Sequence, residues 1–324
     1  MSAASKVYDC VIIGSGPAGL SAGIYLARAL RSVLIIEAGR GGRTTWNSLN
    51  ENYFGFPKGI RAAELARRGR QQAARFGVEF CTSTLVENIA QVAAPAPGDE
   101  RAPFAIDLRP LDGKAAKSLR ARALIFATGV TDVLPPFPHA ERYVGKSFFW
   151  CLHCDGWLVR GKRLGVVGNG DDAAAMALQL LDFTPQVSLL CLEKECRVSP
   201  EKQTELQAHG IGIFMERIIA ARGRAGRFTA LQLEDGRELP IDYLFSALGE
   251  TPNSQLAARL GVGLDAKGFI QVNVEQETNL PGVFAAGDVT SLPGQQVVNA
   301  VHQGAMAAIN ATCFLRPAAQ KTAE

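Results

Sequence analysis

The run Val7-Tyr8-Asp9-Cys10-Val11-Ile12-Ile13-Gly14-Ser15-Gly16-Pro17-Ala18-Gly19 decides the fold. Its first seven residues form a short apolar stretch that predicts a buried parallel strand. Gly14, Gly16 and Gly19 follow in the spacing G-x-G-x-x-G, and small residues to about Leu30 predict a helix. The first glycine permits a tight turn, the second lets backbone approach a pyrophosphate, and the third lets helix and strand pack closely. The helix N-terminus would turn free N–H groups and a partial positive charge toward the phosphates. A second strand, predicted over 32–37, ends in Glu37, where a carboxylate can accept a hydrogen bond from a ribose hydroxyl. A lone glycine turn is weak evidence; strand, glycines, helix and acid together indicate a dinucleotide-binding unit.

Outward from this run, a helix is expected over 62–76. Residues 78–120 alternate apolar and polar, which predicts a small antiparallel sheet or hairpin around a turn-rich insert at 94–101. Residues 121–129 form another buried strand ending in Ala127-Thr128-Gly129, and prolines break the chain at 134–138. The strand–turn–helix pattern then restarts: a strand over 164–167, a turn at Gly168-Asn169-Gly170, a helix over 172–181 and a strand over 187–192. Shorter strands are expected near 211–219, 228–233 and 241–247. Thr251-Pro252-Asn253 breaks the chain again, and the remainder resumes the first unit. The expected fold is α/β, with two Rossmann-like nucleotide-binding domains, the second inserted in the first. Residues 1–133 and 250–324 would make one domain and 134–249 the other, with 134–138 and 247–253 as hinges.

The segment Gly282-Val283-Phe284-Ala285-Ala286-Gly287-Asp288 reads as the second half of the first site. A strand ending in Gly287-Asp288 would set Asp288 against a flavin ribityl chain. A helix starting near Gln296 would aim its positive end at the flavin pyrimidine. Combined with the first fingerprint and with Thr128-Gly129, this pattern points to FAD.

Trp150-Cys151-Leu152-His153-Cys154-Asp155 contains the closely spaced cysteine pair. A C-x-x-C is either a redox dithiol or half of a zinc site. Zinc needs two further ligands, and no second such pair exists, so no metal is expected. Proximity makes the Cys151–Cys154 disulfide easy to open and close. Asp155 stands where it could pass protons during dithiol exchange, or where it could merely cap the next turn.

Of the 324 residues, 47% are hydrophobic and 20% charged, an ordinary globular balance with room for two domains. The net charge of +3 is too mild to suggest nucleic acid. No apolar stretch has transmembrane length, so no membrane is expected. Arg61, Arg67, Arg68, Arg70 and Arg75 read as a solvated helix face, with an acidic docking partner as the sharper alternative. The other five cysteines, Cys10, Cys81, Cys191, Cys196 and Cys313, are isolated and read as buried thiols of a cytoplasmic protein.

The stretch from Cys151 to Gly170 resembles the low-molecular-weight thioredoxin reductase family. So do residues 55–60, residues 247–253 and the segment from Gly282 to Asp288, all in the family's order. The resemblance implies a homodimer with FAD in the discontinuous domain and a thioredoxin-like protein disulfide as partner. It implies that Cys154 faces the flavin as the charge-transfer thiolate, that Cys151 attacks the substrate disulfide, and that Asp155 is the acid–base.

Two departures bear on the electron donor. The second fingerprint, from Gly168 and Gly170 to Ala173, keeps its glycines and could hold a pyrophosphate. NADPH-using relatives, however, carry a basic cluster after the next strand, where this chain has Cys191-Leu192-Glu193-Lys194-Glu195. Glu193 would repel a 2′-phosphate and could accept from a free ribose hydroxyl. NADH, or a nicotinamide-independent donor such as ferredoxin or a second flavin, therefore stands beside NADPH. Second, Gln295-Gln296 replaces the family's Arg-Gln; Gln296 keeps the flavin contact and the arginine is missing. Trp46 and His302 are unfamiliar near the flavin and would either pack or stack on a second planar ring. Small-molecule dithiol oxidases rank lower, because they carry histidine where this chain has Asp155.

Overall fold

The computed structural model describes residues 6–39, 42–46, 48–92, 104–192 and 196–316. The turn-rich insert at 94–101 and the residues Glu193, Lys194 and Glu195, which bear on the electron donor, lie outside the described residues.

The strand Val7–Ile13 is the centre of a seven-stranded sheet. Alternate side chains go to opposite faces, as a strand requires. Cys10 and Ile12 enter the core beneath the helices, while Val11 and Ile13 enter the core on the other face. Val33–Ile36 pairs with it in parallel on one side, and Glu79–Cys81 extends that edge. On the other side runs Lys117–Phe126, also parallel. The outer edge of that long strand is shared. Its first half pairs antiparallel with Phe104–Pro110, and its second half pairs parallel with Val283–Ala285. Thr84–Gln91 completes the hairpin. The antiparallel hairpin expected over 78–120 is present, and its strands extend the main sheet because Lys117–Phe126 runs on into its centre.

The helices Pro17–Arg28 and Val297–Leu315 lie against each other on one face of this sheet. Gly304 permits the contact, since a Cβ there would collide with the Ala18 carbonyl. Two ends of the sequence therefore form one layer.

The second sheet is wholly parallel, in the order Phe148–Phe149, Tyr243–Ala247, Leu164–Gly168, Val187–Leu190, Gly212–Phe214. Its helix Asp171–Gln179 follows the Gly168-Asn169-Gly170 turn. A three-stranded antiparallel sheet, Ile218–Arg224, Arg227–Leu233 and Glu238–Pro240, packs beside it. The strand expected over 211–219 is two strands in two different sheets. All strands of the second sheet fall between residues 148 and 247, between two segments of the first. The chain is therefore α/β with two Rossmann-like units. A two-stranded ribbon, Val130–Asp132 against Glu250–Pro252, joins them, with Asp132 opposite Glu250.

Candidate active site

A single cavity of about 1770 Å³ runs from the first glycine turn to the cysteine pair. It exceeds the ~300–1,000 Å³ of a usual small-molecule pocket, as a dinucleotide would need. Gly14 and Gly16 line one end, together with Glu37. Gly14 has φ +111°, and a Cβ there would collide with the Ala127 carbonyl. Gly16, by contrast, faces open space, so its bare backbone is presented to the cavity. Gly19 does not line the cavity; it lets the helix sit against the Gly14 carbonyl, the packing role expected of it.

Glu37 follows directly on Val33–Ile36 and holds two partners, the Ser15 hydroxyl and Arg70 Nη1 at 2.5 Å. Arg70 was expected on a solvated face, and that reading is corrected. Arg67 and Arg68 do pair with Glu64 on the surface, but Arg70 turns inward over the Phe80 ring and onto Glu37.

Thr128 and Gly129 line the cavity at the end of Lys117–Phe126. The Thr128 hydroxyl donates to the Asn253 carbonyl at 2.7 Å, and Asn253 Nδ2 donates back to the Thr128 carbonyl at 3.0 Å. This exchange ties the strand end to the second connection between the units.

Gly287 and Asp288 follow Val283–Ala285 into the same cavity, and Gln296 is the N-cap of the last helix. Arg43 lies at the centre of this corner. Its Nη1 donates to Asp288 Oδ2 at 3.0 Å and to Gln295 Oε1 at 2.8 Å. Its Nε and Nη2 grip Asp132, with Nη2 at 2.6 Å from Oδ1. Gln295 Nε2 in turn donates to Glu250 at 2.9 Å. A guanidinium from position 43 thus stands against both Asp288 and Gln295. Burial pushes the Asp288 carboxyl above its ordinary range, and the Arg43 charge opposes that rise.

Cys151 and Cys154 form a disulfide, with Cα atoms 5.2 Å apart. It begins the short helix Leu152–Asp155, where Cys151 Sγ accepts from the Cys154 backbone N–H at 3.1 Å. Gln296 Nε2 reaches both sulfurs, at 3.2 Å from Cys151 Sγ and 3.5 Å from Cys154 Sγ. The pair of the second unit is therefore docked on the helix N-cap of the first. The Trp150 indole N–H beside it is buried without a partner among the described residues, a donor available to a bound group. Asp155 makes no side-chain cap to the following turn, which removes that alternative. Burial, with a smaller contribution from the Glu51 charge, pushes its carboxyl up from 3.8 to about 7.

Trp46 lines the cavity, its ring 6.4 Å from that of Trp150, so it packs beside the disulfide. His302 is exposed on the last helix and does not line the cavity, contrary to its expected approach. Gly168 and Gly170 also lie off the cavity, although Asp172 and Met176 of their helix reach it. The cysteine reading needs a second correction. Cys191 and Cys196 stand at disulfide distance from each other, with Cα atoms 5.7 Å apart. Cys313 is exposed rather than buried. Arg43 and Glu51 are functional candidates that the sequence did not single out, and Arg70 was read there only as part of a basic helix face.

The model of the pyridine nucleotide-disulphide oxidoreductase family matches residues 8–304, and the chain belongs to that family. Within it, the relatives are thioredoxin reductases. That of Eremothecium gossypii is 34% identical over 95% of this chain and 98% of its own. That of Bacillus subtilis is 30% identical over 94% and 93%. The crystal structure of the Streptococcus pyogenes thioredoxin reductase superposes with a TM-score of 0.84 at 28% identity, over 96% of this chain and 99% of its own. The chain is thus a thioredoxin reductase-like oxidoreductase. Among the described residues, no helix is long and apolar enough to cross a membrane.

Proposed function

We propose that the chain is an FAD-dependent reductase of a thioredoxin-type protein disulfide, working as a cytoplasmic homodimer. Residues 1–133 and 250–324 would form its FAD domain and 134–249 the inserted one. The observation that carries this reading is the Gln296 amide on both sulfurs of Cys151–Cys154, in the same cavity as the first glycine turn. Gly14, Gly16, Glu37, Thr128, Gly129, Gly287, Asp288 and Gln296 would hold the cofactor. FAD bound there supplies the two electrons that open the disulfide.

The chain's own residues do the rest. Cys151 attacks the substrate disulfide, and Cys154 then attacks the mixed disulfide to release the substrate as a dithiol. Asp155, half-protonated near neutrality, holds the proton that the departing thiolate takes. A reduced nicotinamide dinucleotide on the second fingerprint is the donor we propose, as the family's name implies.

Two measurements test this. Cys154→Ser should keep FAD and lose disulfide reduction; normal turnover by that variant would sink the assignment. In an anaerobic titration, NADH or NADPH should bleach the flavin absorbance. Bleaching by dithionite or reduced ferredoxin alone reassigns the donor.

A further inference from the structure

Four cations meet at one hairpin of the second unit. The strands Ile218–Arg224 and Arg227–Leu233 are joined by Ala225-Gly226 alone, and Arg224 and Arg227 stand directly opposite each other. The tip of this hairpin rests on the segment that leads into Phe148–Phe149. The Ser147 hydroxyl donates to the Gly226 carbonyl at 2.9 Å. A Cβ on Gly226 would stand 2.6 Å from the Arg142 carbonyl and 3.0 Å from the Lys146 ammonium nitrogen. Arg142, Lys146, Arg224 and Arg227 are all exposed, and none of them forms an ion pair among the described residues. Neighbouring acids are engaged elsewhere: Glu141 Oε1 lies 3.7 Å from His139 Nδ1, and Glu238 holds Arg222.

This arrangement works against the fold. Like charges directly opposite on neighbouring strands repel. Ala225 has φ +54°, a left-handed backbone that strains any residue with a Cβ and that tight hairpins usually give to glycine or asparagine. A surface that served stability alone would set an acid against the arginines, as Glu64 is set against Arg67 and Arg68. Strain and uncompensated charge together mark a surface kept for recognition.

What it recognises follows from its place. Lys146 lies five residues before Cys151, so their Cα atoms are at most ~18 Å apart. Gly145 lines the cavity and packs against Trp46 and Ser48. Lys146 and Cys151 belong to the same unit, so their spacing holds however the two units sit. A domain of ~100 residues has a radius of gyration of ~13 Å, and one that brings its disulfide to Cys151 therefore reaches the hairpin. The net charge of only +3 leaves no broad basic face for nucleic acid, and a patch this local suits an acidic face of a protein.

We propose that Arg142, Lys146, Arg224 and Arg227 dock an acidic face of the protein disulfide that Cys151 attacks. The cations steer the encounter and orient the partner, while the exchange chemistry stays with Cys151 and Cys154. This inference rests on the proposed function, in which the substrate is a protein.

The test uses the FAD-loaded protein, reduced with stoichiometric dithionite and mixed in single turnover with a thioredoxin of net negative charge. The second-order rate should fall about tenfold between ~50 and ~500 mM salt. Arg224→Glu/Arg227→Glu should lower that rate about tenfold at low salt and flatten its salt dependence, with the limiting rate at saturating thioredoxin unchanged. Arg224→Gln/Arg227→Gln, which removes the repulsion, should be intermediate in rate and melt no lower than wild type. A lower melting point would mean that the arginines serve the fold, and overturns the proposal. So does an unchanged rate in the charge reversal, or a reversal that slows flavin reduction by reduced ferredoxin in place of thioredoxin reduction. A wild type that reduces thioredoxin at a salt-independent rate sinks this inference alone, whereas one that reduces no thioredoxin sinks the proposed function with it.

Discussion

Gln296 and Cys151 stand 145 positions apart in the sequence and belong to different units, yet the Gln296 amide nitrogen lies 3.2 Å from Cys151 Sγ. It is held there in part by Asn52, whose Nδ2 donates to Gln296 Oε1 at 3.1 Å. The contact fixes the disulfide at the N-cap of the last helix, where the positive end of the helix favours a developing thiolate. Gln296→Ala should slow disulfide opening by about fivefold, the worth of one hydrogen bond of ~1 kcal/mol, with flavin retained. Anaerobic stopped-flow reduction of the oxidised enzyme, followed to opening of the pair, checks this; an unchanged rate contradicts it.

Asp155 links burial to proton transfer. Its carboxyl titrates at about 7, so the protonated form falls away as pH rises through neutrality. Steady-state turnover should decline on that limb, and Asp155→Asn should lose roughly 10²-fold and flatten it. Stability runs the same way: the raised carboxyl contributes fully below about pH 4, and that contribution is lost as pH rises to about 7. Asp155→Asn should therefore melt at least ~2 °C above wild type at pH 8, a difference that shrinks near pH 5.

Glu51 contributes to that titration by its negative charge. Glu51→Gln should move the alkaline limb of the pH–rate profile to lower pH without changing the plateau. A profile that stays in place would mean that burial alone sets the Asp155 value.

Arg43 is one cation among three carboxylates, those of Asp132 and Asp288 in direct contact and that of Glu250 through Gln295. Removing it leaves the nearly buried Asp132 without its ion pair. Arg43→Gln should cost about 3 kcal/mol, the lower end for breaking a buried pair, and should lower flavin occupancy as isolated. Thermal unfolding and the flavin-to-protein absorbance ratio report the two effects separately.

Much of this was legible in the sequence. Gly14, Gly16 and Gly19 announce a local geometry, because the turn, the strand before it and the helix after it span only neighbouring residues. Cys151, Cys154 and Asp155 were legible for the same reason. Arg43 was not, since its partners stand 89 and 245 positions away and only the packed fold brings them together. Arg70 shares a helix with arginines that do face solvent, and only the position of Phe80 and Glu37 turns it inward. Cys191 and Cys196 read as isolated because a separation of five positions matches no dithiol motif, and only the fold shows their Cα atoms 5.7 Å apart.

The shared edge of Lys117–Phe126 has a consequence for how the protein is made. Synthesis from the N-terminus delivers every strand of the second sheet before Val283–Ala285 leaves the ribosome. The nascent second unit has its full set of strands while the first lacks both the edge strand Val283–Ala285 and its last covering helix. Until Val297–Leu315 arrives, the apolar face around Ile12, Leu20 and Phe284 stands open to water and to chaperones. Cofactor capture is then a late, post-translational event, and a stalled or truncated chain would hold a finished cysteine unit with nothing to reduce it.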